Sequence, residues 1–181
     1  ALSEKWLVRG NMALVYSVVY VGLLGLFSYY VGEALPREWF HEDSVLFRSR
    51  RWEKDGAVYD KLNIKKWKLK LLDMSKIMKH SKLPKQISGA VTSGDITALI
   101  KETCVAETTH LFLCVFSCRV YSFWNNWIGI LLAIACIVGN LPFIMIQRYN
   151  RPNLQHLRDK LLKREQRLQQ RGANGERGDT L

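Results

Sequence analysis

Across its 181 residues the chain has little of what builds a disulfide framework or a metal finger. Its four cysteines, Cys104, Cys114, Cys118 and Cys136, all lie in apolar stretches, where they read as small buried thiols. No Cys/His spacing resembles a zinc site. Negative charge is scarce too: 16 Asp and Glu stand against 27 Lys and Arg, a formal net charge of +11. Charge of either sign is missing from two long runs, Met12–Gly32 and Trp127–Gln147, each of 21 residues. Six Trp, seven Tyr and seven Phe exclude a disordered chain. The mean hydropathy of −0.08 averages over three apolar blocks with charge between and after them, the pattern of a membrane protein.

The first block is long enough for about 30 Å of helix at roughly 1.5 Å per residue. It also lacks a cleavage signal, because Glu33-Ala34-Leu35-Pro36 leads straight into Arg37 with no small-x-small site. A retained helix over 12–35 is therefore expected in place of a signal peptide. The third block predicts a helix over 127–147, interrupted by Asn140 and Pro142; a proline at that depth kinks a helix and frees a carbonyl. The second block, 97–124, is apolar in its latter half and carries Lys101, Glu102, Glu107 and His110 in its first. At helical spacing Thr103, Glu107, His110, Cys114, Ser117 and Tyr121 form one stripe, which must face protein or water because lipid would not solvate it. The fold class expected is all-α: a polytopic membrane protein of three spans, with a helical loop over 36–96 and a tail helix.

Charge sets the orientation. Between Pro36 and Thr97 there are 14 Lys or Arg against eight Asp or Glu, and the tail from Arg148 carries nine basic residues. The positive-inside rule puts loop and tail in the cytoplasm and the N-terminus outside a multi-pass cell-membrane protein. Segment 86–97 is left as an interfacial or re-entrant piece. The basic excess is what topology requires and also attracts anionic lipid, so no nucleic-acid partner is expected. In the tail, Leu157, Leu161 and Leu168 among basic residues predict an amphipathic surface helix, and the Gly-rich stretch after it a disordered end over the last of 148–181.

The loop holds the most individual sequence, Trp52-Glu53-x-x-Gly56-x-x-Tyr59-x-x-Leu62-x-Ile64-x-x-Trp67-Lys68. One reading of its aromatics is an interfacial belt with snorkelling lysines. With two further pieces, Glu102-Thr103-x-x-Ala106-Glu107-x-x-His110 and Gln147-Arg148-Tyr149-Asn150-Arg151-Pro152, the chain resembles the glycosyl-4,4′-diaponeurosporenoate acyltransferase family of small bacterial membrane proteins. The pieces stand in the expected order over most of the chain after residue 50, and the N-terminal helix matches only in kind. Leu72, Leu111 and Asn153 depart from the pattern, where a proline, an aromatic and a basic residue are usual. The resemblance implies acyl transfer to a sugar hydroxyl of a glycosylated carotenoid acid. It carries no catalytic assignment with it.

A mechanism is therefore built from the stripe. A hydroxyl attacking an acyl thioester needs a general base near neutral pH, for which histidine is suited. His110 with Glu107 three residues earlier is expected to act as base and orienter. Glu102, roughly 140° around the helix from Glu107, serves another contact. Arg148 and Arg151 either bind phosphates of an acyl-CoA donor or anchor the span, and Asn150 lies between them. Trp52, Glu53, Tyr59 and Trp67 are the candidate substrate-binding set of the loop. No resident cofactor is expected. The partners are membrane lipids, the acyl donor and a lipid-linked sugar acceptor. Three alternatives stay open: a metal-dependent lipid-modifying enzyme using the Glu-x-x-His pair, a buried polar pair that only joins helices, and a non-catalytic membrane subunit or lipid-binding partner of a biosynthetic complex.

Overall fold

The computed structural model describes residues 2–67 and 91–178, with side chains over 8–67 and 91–171. Lys68, Leu72 and the first part of the 86–97 segment lie outside the described residues. Among the described residues there are helices and turns and no strand. In chain order the α-helices are α1 (Leu2–Ala34), α2 (Ala57–Asp60), α3 (Ser93–Ser117), α4 (Tyr121–Trp124) and α5 (Trp127–Gly178). They divide into two compact units, residues 1–41 with 104–147 and residues 42–103 with 148–181.

In the first unit α1 reads as a soluble helix turned inside out. Its buried positions are the narrow series Ala13, Ser17, Leu24, Ser28 and Gly32, while Leu14, Val15, Val18, Leu23, Leu26 and Phe27 stand exposed. Small residues inside and large apolar ones outside is the arrangement lipid favours, since burying Leu against protein gains nothing over burying it in acyl chains. The two serine hydroxyls donate within the helix, Ser17 to Ala13 O at 2.8 Å and Ser28 to Leu24 O at 2.7 Å. Pro36 forbids continuation beyond Leu35. Arg37 then satisfies the orphaned C-terminal carbonyls, donating from Nη1 to Gly32 O, Glu33 O and Leu35 O at 2.7–3.1 Å.

Residues 104–124 run antiparallel to α1. Phe112 meets Phe27, Tyr20 donates to Phe116 O at 2.9 Å, Phe123 packs on Tyr16 and Tyr20, and Trp124 Nε1 donates to Ser17 Oγ at 2.9 Å. The chain reverses at Asn125, whose φ is 51°, and Asn126 Oδ1 caps α5 by accepting Ile128 N–H and Gly129 N–H. Gly129 must be glycine: a Cβ there would sit 2.9 Å from Trp124 Cβ. α5 then returns antiparallel to α3, with Cys114 opposite Ile137 and His110 opposite Asn140.

Two helices, α1 and α5, are long and apolar enough to cross a membrane; α3 does not meet that test, because the charged half of the stripe lowers its hydropathy. The helical run also starts at Ser93, four residues before the expected Thr97, where Thr92 and Asp95 form a capping box. α5 runs unbroken through Pro142 and Pro152 to Gly178, so the tail continues the third apolar block and its backbone is helical into the Gly-rich stretch expected to be disordered.

In the second unit the loop 42–67 lies on the later part of α5. Phe47, Glu53, Gly56, Tyr59 and Ile64 are its buried residues, with Gly56 against Tyr149 of α5; Ile96 and Ile100 of α3 are buried in the same unit. Glu42 pairs with Arg158 at 2.6 Å, and Glu165 of α5 accepts both the backbone N–H and the hydroxyl of Ser93.

Candidate active site

Two polar centres are described, one in each unit. The first is built on His110, which α3 presents half-buried. Asn140 Nδ2 donates to Cys136 O at 2.9 Å, one turn back along α5, and that bond turns the amide oxygen the other way. His110 Nδ1 lies 2.9 Å from this Oδ1. An amide oxygen only accepts, so in the neutral ring Nδ1 carries the hydrogen and Nε2 keeps its lone pair. Nε2 makes no hydrogen bond among the described residues. Phe143, three residues beyond Asn140 on the same face of α5, stacks on the imidazole at 4.7 Å with the ring planes 9° apart. Ring position, ring plane and tautomer are thus fixed from α5.

The hydrogen-bond partner of His110 Nδ1 is thus Asn140 of α5, 30 residues on in the chain. Glu107 is 1% exposed, one turn earlier on α3. Nothing in the sequence reading gave Asn140 a role beyond interrupting an apolar run. An amide inside 21 uncharged residues was itself the available signal, because a polar group there must find a partner. Among the described residues no three His, Cys, Asp or Glu side chains gather closely enough to share a metal ion.

The second centre is Glu53, 2% exposed. Its Oε1 accepts Tyr59 Oη and Arg148 Nε, both at 2.5 Å; its Oε2 accepts the Arg50 N–H at 2.6 Å and Arg148 Nη2 at 2.8 Å. Burial pushes this carboxyl up, but the hydrogen bonds from Arg148, Tyr59 and the Arg50 backbone outweigh it and bring it down to about 2. Burial, with the Glu53 carboxylate beside it, holds the Tyr59 phenol above its ordinary range. Arg148 also donates to Leu46 O and Arg48 O. Arg151, 2% exposed, donates to Thr103 Oγ1, Thr103 O and Phe47 O at 2.7–3.2 Å, and its guanidinium lies over the Phe47 ring.

Arg148 and Arg151 thus both donate to loop carbonyls, Arg148 also to Glu53 and Arg151 also to Thr103. Glu53 accepts from Tyr59 as well as from Arg148. Glu53, Thr103, Arg148 and Arg151, one or two residues from each of the three motifs, meet in one buried clasp that fastens the loop to α5. Trp52 and Trp67 stay at the loop's outer side: Trp52 is exposed and edge-on to Tyr59, and Trp67 Nε1 donates to Leu62 O. Glu102 is exposed on α3 and Asn150 half-buried on α5; both are engaged with neighbours.

Comparison with known proteins gives a consistent result. Residues 36–160 match the family model for glycosyl-4,4′-diaponeurosporenoate acyltransferase. Curated proteins of that name from Staphylococcus aureus strains RF122 and MRSA252 are each 27% identical over 138 residues, 76% of this chain and 82% of theirs. The protein of strain N315 is 26% identical over the same span. No solved structure matches the chain.

Proposed function

The chain belongs to the glycosyl-4,4′-diaponeurosporenoate acyltransferase family, and from that membership we propose that this acyltransferase moves a fatty acyl group from a thioester donor such as acyl-CoA to a sugar hydroxyl of a glycosylated carotenoid-like lipid. The observation that carries the mechanism is the His110 ring, held through Nδ1 by Asn140 with Nε2 left for the substrate. In the proposed step the sugar hydroxyl attacks the thioester carbonyl while Nε2 takes its proton. The new O–C bond forms, the C–S bond breaks, and the imidazolium returns the proton to the departing thiolate. Asn140 keeps Nε2 the basic nitrogen. Glu107 lies buried one turn from the imidazole on the same helix. The Glu53 clasp positions the loop.

In the proposed topology the chain crosses three times, through α1, the run from α3 to Trp124, and the first turns of α5, with loop and tail on the cytoplasmic side where the donor is made. Support for the middle crossing is that residues 104–124 pair along α1 and α5, and that its polar groups are answered within the protein. Thr108 and Thr109 donate to carbonyls one turn back, and His110 meets Asn140. The test is transfer of a labelled acyl group to a glycosylated carotenoid acid by the purified full chain in bilayers, read by mass spectrometry. His110→Ala is expected to slow transfer by about 10²–10⁴-fold; undiminished activity per folded molecule in that variant would overturn the mechanism.

A further inference from the structure

The loop 42–67 has two faces of opposite character. Its inner face is bonded to α5 through Arg148 and Arg151. The outer face leaves four large apolar side chains uncovered within 18 residues: Val45 at 72% exposure, Trp52 at 61%, Leu62 at 50% and Leu46 at 47%. Arg48, Arg50, Arg51, Lys54, Lys61, Lys65 and Lys66 are all exposed among them. Over 43–66 these seven cations stand against four carboxylates, of which Glu53 is already neutralised by Arg148 and Asp60 is paired with Lys65. Some placements are direct: Arg50 reaches back to Val45 O, and Trp52 stands against Tyr59.

We propose that this outer face docks on the anionic headgroup layer of the membrane, with Val45, Leu46, Trp52 and Leu62 entering the acyl boundary and the surrounding Lys and Arg meeting lipid phosphates. A merely solvated basic surface does not need uncovered Trp, Val and Leu. A protein-binding patch has its cations depleted at the centre, whereas here they interleave with the apolar groups. Apolar anchors among cations with long apolar stems is the composition that an anionic interface rewards on both counts. The clasp beneath supplies rigidity, so the face is presented preformed.

The experiment uses the full chain with Cys104, Cys114, Cys118 and Cys136 replaced by alanine, its helicity checked by circular dichroism, and a nitroxide at Val45→Cys or Leu62→Cys. It is reconstituted in phosphatidylcholine nanodiscs with or without phosphatidylglycerol. Docking predicts that collisions with oxygen exceed those with a water-soluble nickel reagent severalfold when phosphatidylglycerol is present. The excess is lost in phosphatidylcholine alone, at high salt, and in Arg50→Glu/Arg51→Glu/Lys54→Glu. A nickel-accessible label in both lipids would make the face solvated, and a label shielded from both reagents would mean it is covered by protein. Oxygen access that ignores lipid charge would remove the anionic requirement. Each of these three results overturns the proposal, and the salt series decides the matter in the parent chain if the charge-reversed variant does not fold.

Discussion

At the scale of single residues, the two polar centres predict opposite kinds of damage. His110→Ala and Asn140→Ala should both leave the protein folded, with His110→Ala losing about 10²–10⁴-fold in rate as a general base does. Asn140→Ala should lose less than His110→Ala, because the ring keeps its base and loses only the preference for one tautomer. Equal losses, measured as activity per folded molecule, would mean that the pair serves packing. Glu53→Gln should act on stability first. Removing one partner of a buried ion pair leaves the Arg148 guanidinium uncompensated, a cost of about 3–5 kcal/mol, and replacing both partners by apolar residues should recover much of it. Thermal unfolding in detergent checks this. The pH dependence has a definite sign. Glu53 is depressed from 4.5 to about 2 on folding, so its contribution is present above 4.5 and fades as pH falls from 4.5 toward 2. Melting temperature in the parent should drop across that window, and Glu53→Gln should drop less steeply.

At the scale of elements, the turn before α2 is under backbone strain. Lys54, Asp55 and Gly56 follow one another with φ of 47°, 52° and 91°, a left-handed run that only the glycine adopts without cost. The clasp explains why it persists: Glu53 and Tyr59, on either side, are both fixed to the same buried network. Lys54→Gly should therefore stabilise the fold by about 1 kcal/mol, seen as a raised melting temperature. Gly56→Ala should do the reverse, since it adds a left-handed alanine whose Cβ would lie 3.4 Å from Tyr149 O. If Lys54→Gly lowers stability, the turn is held by something other than the clasp.

At the scale of the whole molecule, the helices state a membrane protein by their surfaces as much as by their composition. α1 exposes its Leu, Val and Phe side chains and buries Ser and Gly. The proposed cytoplasmic placement of the loop and tail predicts that a cysteine at Lys61, in a chain without its native cysteines, resists an impermeant thiol reagent in intact cells and reacts after lysis. Labelling of Lys61→Cys from outside would reverse the orientation and separate the site from a cytoplasmic donor.

Composition and period alone determined the helical class, the two long apolar helices and the stop of the first at Pro36, because these depend on local hydropathy. The family was legible as a resemblance carried by three motifs in order along the chain. The His110 stripe was legible for the same reason: spacing on one helix is local information. What the tertiary structure decided is which groups meet. Spacing along α3 offered Glu107 as the partner of His110, and the interhelical contact gave that place to Asn140, 30 residues away. For the basic motif at Arg148 and Arg151 the sequence left donor binding and anchoring both open, since arginine is costly to bury alone. In the structure Glu53 and the loop carbonyls, 95 to 104 residues distant in the chain, supply acceptors for them. A side chain's type can be read from sequence; its partner exists only once the helices have packed.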